Sequence, residues 1–181
     1  MKVFVTGATG FIGQATIPEL LKHGHTVIGL ARDEKKASHL KSQGVEPLIG
    51  DLQTTEILRD GARAADAVIH LGFMHDFSDM AKNTATDRAA IEAFAEGFEG
   101  KNKVLVISGG TLYLPRTTVA TEETEAMTDI LHGRAKSEYL LVKLAKEKRF
   151  RGVAARFSPS VHGKLLRNAD CLMWCMELTS S

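Results

Sequence analysis

At 181 residues, 44% hydrophobic and 25% charged, the chain has the size and composition of one globular domain with a sizeable core. Its 23 Lys and Arg against 22 Asp and Glu leave a net charge of +1 with no long basic or acidic block, which argues against nucleic acid or a membrane surface as a partner. No apolar run approaches the ~18 residues of a membrane span, and the chain starts directly on the strand-like Val3-Phe4-Val5, so a cytoplasmic protein is expected.

Lys2 to Thr6 reads as a first strand, followed by a glycine-rich turn and a helix over Ile12 to His23, with Ile17, Leu20 and Leu21 on one face. Gly24 ends that helix. Thr26 to Ala31 is the second strand, Glu34 to Gln43 a helix stopped by Gly44, and Val45 to Ile49 a third strand kept short by Pro47. A short helix is predicted over Thr54 to Gly61, then a fourth strand over Ala67 to Leu71. A long helix follows over Asp79 to Phe98, with Ala89, Ala90, Ala93 and Phe94 facing inward, and a fifth strand over Val104 to Ser108. Thr124 to Lys148 reads as mostly helix, with Gly133 the place where it would break, and Gly152 to Phe157 as a sixth strand. Strands alternating with helices imply βαβ units, and near-continuous Val, Ile and Leu marks strands covered on both faces. The expected fold is α/β, a doubly wound parallel sheet in the order 3-2-1-4-5-6. Residues 1–163 form this domain, and 164–181 form a divergent tail read as one short helix.

The chemistry starts at Gly7-Ala8-Thr9-Gly10-Phe11-Ile12-Gly13, a G-x-x-G-x-x-G spacing between a strand and the helix it opens. One glycine permits the tight turn, one lets the backbone touch a pyrophosphate, and one lets helix and strand pack closely. The helix N-terminus then faces the phosphates with free N–H groups and the positive end of its dipole. The end of the second strand selects between nicotinamide dinucleotides. An acidic residue there bonds the ribose hydroxyls of NAD, whereas here Ala31 is followed by Arg32, with Lys35 and Lys36 nearby. An arginine offers a planar, permanent cation to a 2′-phosphate, so NADP is expected rather than NAD. Asp33 can cap the next helix at the same time.

The stretches Val5-Thr6-Gly7-Ala8-Thr9-Gly10-Phe11-Ile12-Gly13, Gly50-Asp51-Leu52, Val68-Ile69-His70-Leu71-Gly72 and Arg156-Phe157-Ser158-Pro159-Ser160-Val161-His162-Gly163 resemble the extended short-chain dehydrogenases/reductases, in the NAD-dependent epimerase/dehydratase group. Phe73-Met74-His75-Asp76-Phe77 and Ser108-Gly109-Gly110-Thr111 resemble an atypical bacterial and fungal branch of it. The resemblance implies a Rossmann domain with Asp51 and Leu52 beside the adenine, Leu71, Gly72 and Phe73 along the middle of the cofactor, and Ser158, Pro159 and Val161 near the nicotinamide.

Such enzymes pair a Ser or Thr after the fifth strand, which polarises the substrate carbonyl, with Tyr-x-x-x-Lys on the next helix. There the tyrosine moves the proton, and the lysine holds the ribose and lowers the tyrosine pKa. Thr111 is the preferred hydroxyl and Ser108 the second. The family's Tyr-Gly-x-Ser-Lys-x-Glu is matched by His132-Gly133-Arg134-Ala135-Lys136-Ser137-Glu138, so the lysine is present as Lys136 but the tyrosine has become His132. Histidine can donate a proton near neutral pH. Tyr139 to Lys143 repeats the Tyr-x-x-x-Lys spacing, but Tyr139 sits ~10 Å further along the helix axis, too far to replace His132, and reads as structural. His75 and Asp76 follow the fourth strand at the edge where such sheets bind ligands and are candidate polar groups of a substrate pocket with Phe73.

Members of the group normally carry a further substrate domain, which is expected to be largely missing here. The apolar tail, with Leu166, Met173, Trp174 and Leu178, would cover the sheet edge or mediate a homodimer. Cys171 and Cys175 would share a helix face, and without two further suitably spaced ligands they read as free thiols rather than a metal site. Three functions follow: an NADP-dependent oxidoreductase acting on a small carbonyl or alcohol; an isomerase, dehydratase or cyclase using His132, His75 and Asp76; or a non-catalytic NADP-binding module.

Overall fold

Six parallel strands lie side by side in the order β3-β2-β1-β4-β5-β6, with β1 at Lys2–Thr6, β2 at Thr26–Ala31, β3 at Glu46–Ile49, β4 at Ala67–His70, β5 at Val104–Gly110 and β6 at Arg151–Phe157. The strand order is the one expected from the βαβ alternation, and the fold is a doubly wound Rossmann-type α/β sheet. The computed structural model describes residues 1–76, 78–99, 102–115, 119–127 and 133–158. His132, Phe77, the loop beyond Ser158 and the 164–181 tail with its two cysteines lie outside them.

Two helical layers cover the sheet. Helices α1 (Phe11–Lys22) and α2 (Glu34–Ser42) pack Ile17, Ala37 and Leu40 against Val3, Val5 and Val27. On the opposite face α3 (Thr55–Ala64), α4 (Met80–Gly97) and α5 (Ala135–Lys148) bring Leu58, Ile91, Phe94, Leu141 and Leu144 onto Phe4, Val68 and Leu105. The alternation of side chains along β1 sends Val3 and Val5 to one layer and Phe4 and Thr6 to the other.

Two predicted boundaries differ by more than two residues. Gly61 does not end α3; the helix runs through it to Ala64. A side chain at Gly61 would start 2.6 Å from the Phe4 ring, so the glycine makes room for a core aromatic instead of stopping the helix. The helix predicted from Thr124 begins at Ala135, and residues 124–127 are not helical. Gly133 has φ +49 and is the break, and a Cβ there would lie 2.8 Å from Thr84 Oγ1.

Candidate functional site

Loops at the carboxyl ends of β1, β4 and β5 meet at one edge of the sheet, where doubly wound folds take their ligands. Gly7 leaves β1 at φ +67, and a Cβ on it would lie 2.7 Å from Gly72 N. The two loops therefore touch backbone to backbone. Gly10 N donates to Gly7 O at 2.9 Å, closing the turn. Gly13 lies so close to the Gly7 and Ala8 carbonyls that any Cβ would meet Ala8 O at 2.7 Å. Gly10 is the N-cap of α1, no side chain caps that end, and no acidic residue occupies its first turn. The first N–H groups, from Phe11 and Ile12 onward, stay available to an anion, so the residues present fit a pyrophosphate. Thr9 helps hold the loop by accepting from Gln14 Nε2 at 3.1 Å.

At the end of β2, Arg32 is exposed and forms no ion pair among the described residues. Asp33 caps α2, taking Lys36 N on Oδ1 at 2.8 Å, so its carboxylate is committed to the helix and Arg32 carries a free charge beside it. Asp51 Oδ1 accepts from Gln53 N, Thr54 N and Thr54 Oγ1 at 2.9, 3.1 and 3.0 Å, which folds the turn entering α3. Leu52 reaches across to Gly72, its Cδ1 3.3 Å from where a Cβ would stand. Leu71 joins the core beneath the cradle.

After β4, Phe73, His75 and Asp76 part ways. Phe73 and His75 stack edge to face at 5.5 Å between ring centroids. The His75 pKa is lowered from the ordinary imidazole value, first by partial burial and then by the Arg134 charge, so the ring is neutral at pH 7. Asp76 instead builds the entry to α4: Oδ1 accepts from Ser78 N at 3.0 Å and Ser78 Oγ at 2.5 Å, and its carbonyl accepts from Asn83 Nδ2 at 2.6 Å. Those Ser78 bonds hold its carboxyl below the usual range. The two candidate pocket residues thus have different surroundings, His75 beside Phe73 and Asp76 in the turn entering α4.

The two candidate hydroxyls after β5 also separate. Thr111 is exposed and donates to Phe157 O at 3.4 Å. Ser108 is partly buried and accepts at Oγ from Arg134 Nη2 at 3.1 Å, while its carbonyl accepts from the same nitrogen at 3.2 Å. An Oγ that accepts from a guanidinium keeps its own hydrogen to donate, and the cation strengthens that donor. Arg134 lies over the Phe73 ring, its Cζ 4.2 Å from the centroid, so it has contacts on two sides. Lys136 stands exposed in the first turn of α5, two residues further on. Tyr139 is 67% exposed on the outside of that helix.

Sequence reading missed the residues that organise this edge. Arg134 lies inside the recognised motif at a position with no assigned type. Tyr113 lies in the single 3-10 turn after β5, its ring against Gly110. Burial raises its pKa and the Asp87 and Glu138 charges add to the rise, while Arg134 opposes it. Buried His70, Asp87 and Ser137 bond to one another (His70 Nε2 to Asp87 Oδ1 3.3 Å, Ser137 Oγ to Asp87 Oδ2 2.6 Å). Glu138 takes Arg156 Nε and Nη2 on Oε2 at 3.0 and 2.9 Å, tying α5 to β6. His70, Ser137 and Glu138 stand inside the recognised stretches, whereas Asp87 and Tyr113 lie outside them and their partners emerge only in the fold.

This fold and glycine cradle define a nicotinamide-dinucleotide-binding α/β protein. The chain belongs to the NAD dependent epimerase/dehydratase family, whose model matches residues 3–168. It is 42% identical over 168 residues to an uncharacterised protein of Saccharomyces cerevisiae, covering 91% of this chain and 55% of that one. Among solved structures, a short-chain dehydrogenase/reductase superfamily protein from Agrobacterium tumefaciens with bound NAD superposes with a TM-score of 0.72 at 22% identity, over 98% of this chain and 55% of that one. Yeast methylglyoxal/isovaleraldehyde reductase complexed with NADPH gives 0.65 at 18% identity, over 88% and 58%. The chain spans about half the length of the curated relatives it matches.

Proposed function

We propose that the chain is the cofactor-binding part of an NADP-dependent oxidoreductase that interconverts a small carbonyl compound and its alcohol. The observation that carries this reading is Ser108, presented at the cradle edge by Arg134 with its hydroxyl hydrogen unspent. Gly7, Thr9, Gly10, Phe11, Ile12 and Gly13 hold the pyrophosphate, Arg32 the 2′-phosphate, Asp51 and Leu52 the adenine side, and Leu71 and Gly72 the middle of the cofactor. Lys136 holds the nicotinamide ribose. The bound nicotinamide supplies or accepts hydride. Ser108 donates to the substrate carbonyl oxygen, a role its free hydrogen suits better than that of Thr111, which is spent on Phe157 O. Phe73 and His75 wall the pocket, and His132 keeps the proton-donor role by its place in the motif.

The purified chain, titrated with NADPH and NADH by cofactor fluorescence, is expected to bind NADPH in the micromolar range and NADH far more weakly. Arg32→Ala is expected to weaken NADPH binding roughly 10- to 100-fold, the worth of a charge-assisted contact, and to leave NADH binding unchanged. Equal affinity of the native chain for both cofactors overturns the NADP assignment, and binding of neither overturns the oxidoreductase.

A further inference from the structure

Four buried polar side chains link the cradle strand to the helix that carries Lys136. Thr6 Oγ1 lies 2.6 Å from His70 Nδ1, His70 Nε2 lies 3.3 Å from Asp87 Oδ1, and Asp87 Oδ2 lies 2.6 Å from Ser137 Oγ. Gly72 N donates to Thr6 Oγ1 at 3.2 Å. The parallel register sets Thr6 directly beside His70 across β1 and β4, so the first link follows from the sheet itself. None of the four residues is more than 3% exposed, and the His70 ring sits against Phe94 at 5.1 Å.

One assignment of hydrogens satisfies every atom. Gly72 N–H donates to Thr6, the Thr6 hydroxyl to Nδ1, Nε2–H to Asp87, and the Ser137 hydroxyl to the other carboxylate oxygen. Each hydroxyl then spends its single hydrogen inside the row, and in this assignment the His70 hydrogen lies on Nε2. A directional row of this kind fixes its members more narrowly than apolar packing does.

Its two ends matter. Thr6 precedes Gly7, and both Gly7 and Thr6 touch Gly72, the pair of loops on which a pyrophosphate rests. Ser137 follows Lys136 in the first turn of α5. That turn has Arg134 as its N-cap with no side-chain cap, and it starts at left-handed Gly133. Besides its own backbone bonds, three polar ties seat it, Ser137 to Asp87, Arg134 to Ser108 and Glu138 to Arg156.

We propose that the Thr6–His70–Asp87–Ser137 row couples the cradle to α5. Filling the cradle fixes Gly7 and Gly72, these fix the Thr6 hydroxyl, and the row transmits that order to the turn bearing Lys136. The four are positioning residues, and the coupling is reciprocal: loosening α5 weakens cofactor binding by the same factor. The inference rests on the NADP-binding reading.

Hydrogen exchange of the whole 181-residue chain, with and without NADPH, tests it. NADPH is expected to slow exchange of backbone amides 135–140 about tenfold in the native chain. The same slowing is expected in Lys136→Met at NADPH concentrations raised until residues 7–13 are fully protected, since the variant removes any direct contact of that side chain and leaves the row intact. In Ser137→Ala and in the near-isosteric Thr6→Val, NADPH is expected to leave those amides unprotected while still protecting residues 7–13, with affinity reduced about tenfold. Retained protection of α5 in both variants overturns the coupling, as does loss of it in Lys136→Met alone. If NADPH protects neither 7–13 nor α5 in the native chain, the cofactor reading itself falls and takes the coupling with it.

Discussion

Asp87 shows how one residue sets the electrostatics of this edge. Burial alone would raise its carboxyl, but the His70 hydrogen bond, the Arg134 charge and the Ser137 hydroxyl together bring the pKa below the ordinary carboxylate value. A carboxyl depressed by folding contributes stability that is fully present above its unfolded pKa of about 4 and is lost as pH falls through the lower folded value. The melting temperature of the native chain is therefore expected to fall below about pH 4 more steeply than that of Asp87→Asn, which should be less stable at pH 7 and flatter in acid. Thermal scans from pH 7 down to pH 3 check this; parallel curves for the two proteins refute it. The same scale separates Ser108 from Thr111 and His75 from Asp76. Residue type could not choose within either pair, because the choice lies in where each hydrogen bond goes.

Helices and strands were legible from pattern wherever their neighbours agree with the local sequence. β1 and β2 were readable to the residue from apolar runs bounded by glycine turns, and Gly24 and Gly44, at φ +75 and +81, end helices as helix-terminal glycines do. The same residue type misled at Gly61, where the deciding atom belongs to Phe4, 57 positions earlier in the chain. Gly61→Ala is expected to destabilise the protein by about 1–3 kcal/mol, the usual cost of overpacking, despite alanine's better helix propensity. Urea unfolding measures it; a neutral or stabilising effect would mean that the Phe4 ring can step aside. In α5 the register of Lys136 and Ser137 was clear, but its start was not. The predicted helix ran back to Thr124, and Gly133 cuts it because the chain turns there against Thr84.

For the whole molecule, the central strands are covered on both faces and the outer ones are not. β1 and β4 carry Phe4, Val5 and Val68 with no exposed surface, whereas β6 lies at the sheet edge with Val153 44% exposed. Native-state hydrogen exchange is expected to be slowest in β1 and β4 and faster by orders of magnitude in β6, since few buried contacts hold an edge strand. Uniform protection across the sheet would show that β6 is covered. No helix among the described residues is long and apolar enough to cross a membrane.

The sequence by itself determined the α/β alternation, the strand order and the glycine turn that opens α1. Each is written in neighbouring residues: alternation, turn glycines and helical spacing are local properties of a chain. Only the tertiary structure decided that Arg134 bonds Ser108 and that Thr6, His70, Asp87 and Ser137 meet in one buried row. Those partners stand as much as 64 positions apart. A hydrogen bond between them depends on strand register and helix docking, which no local pattern encodes.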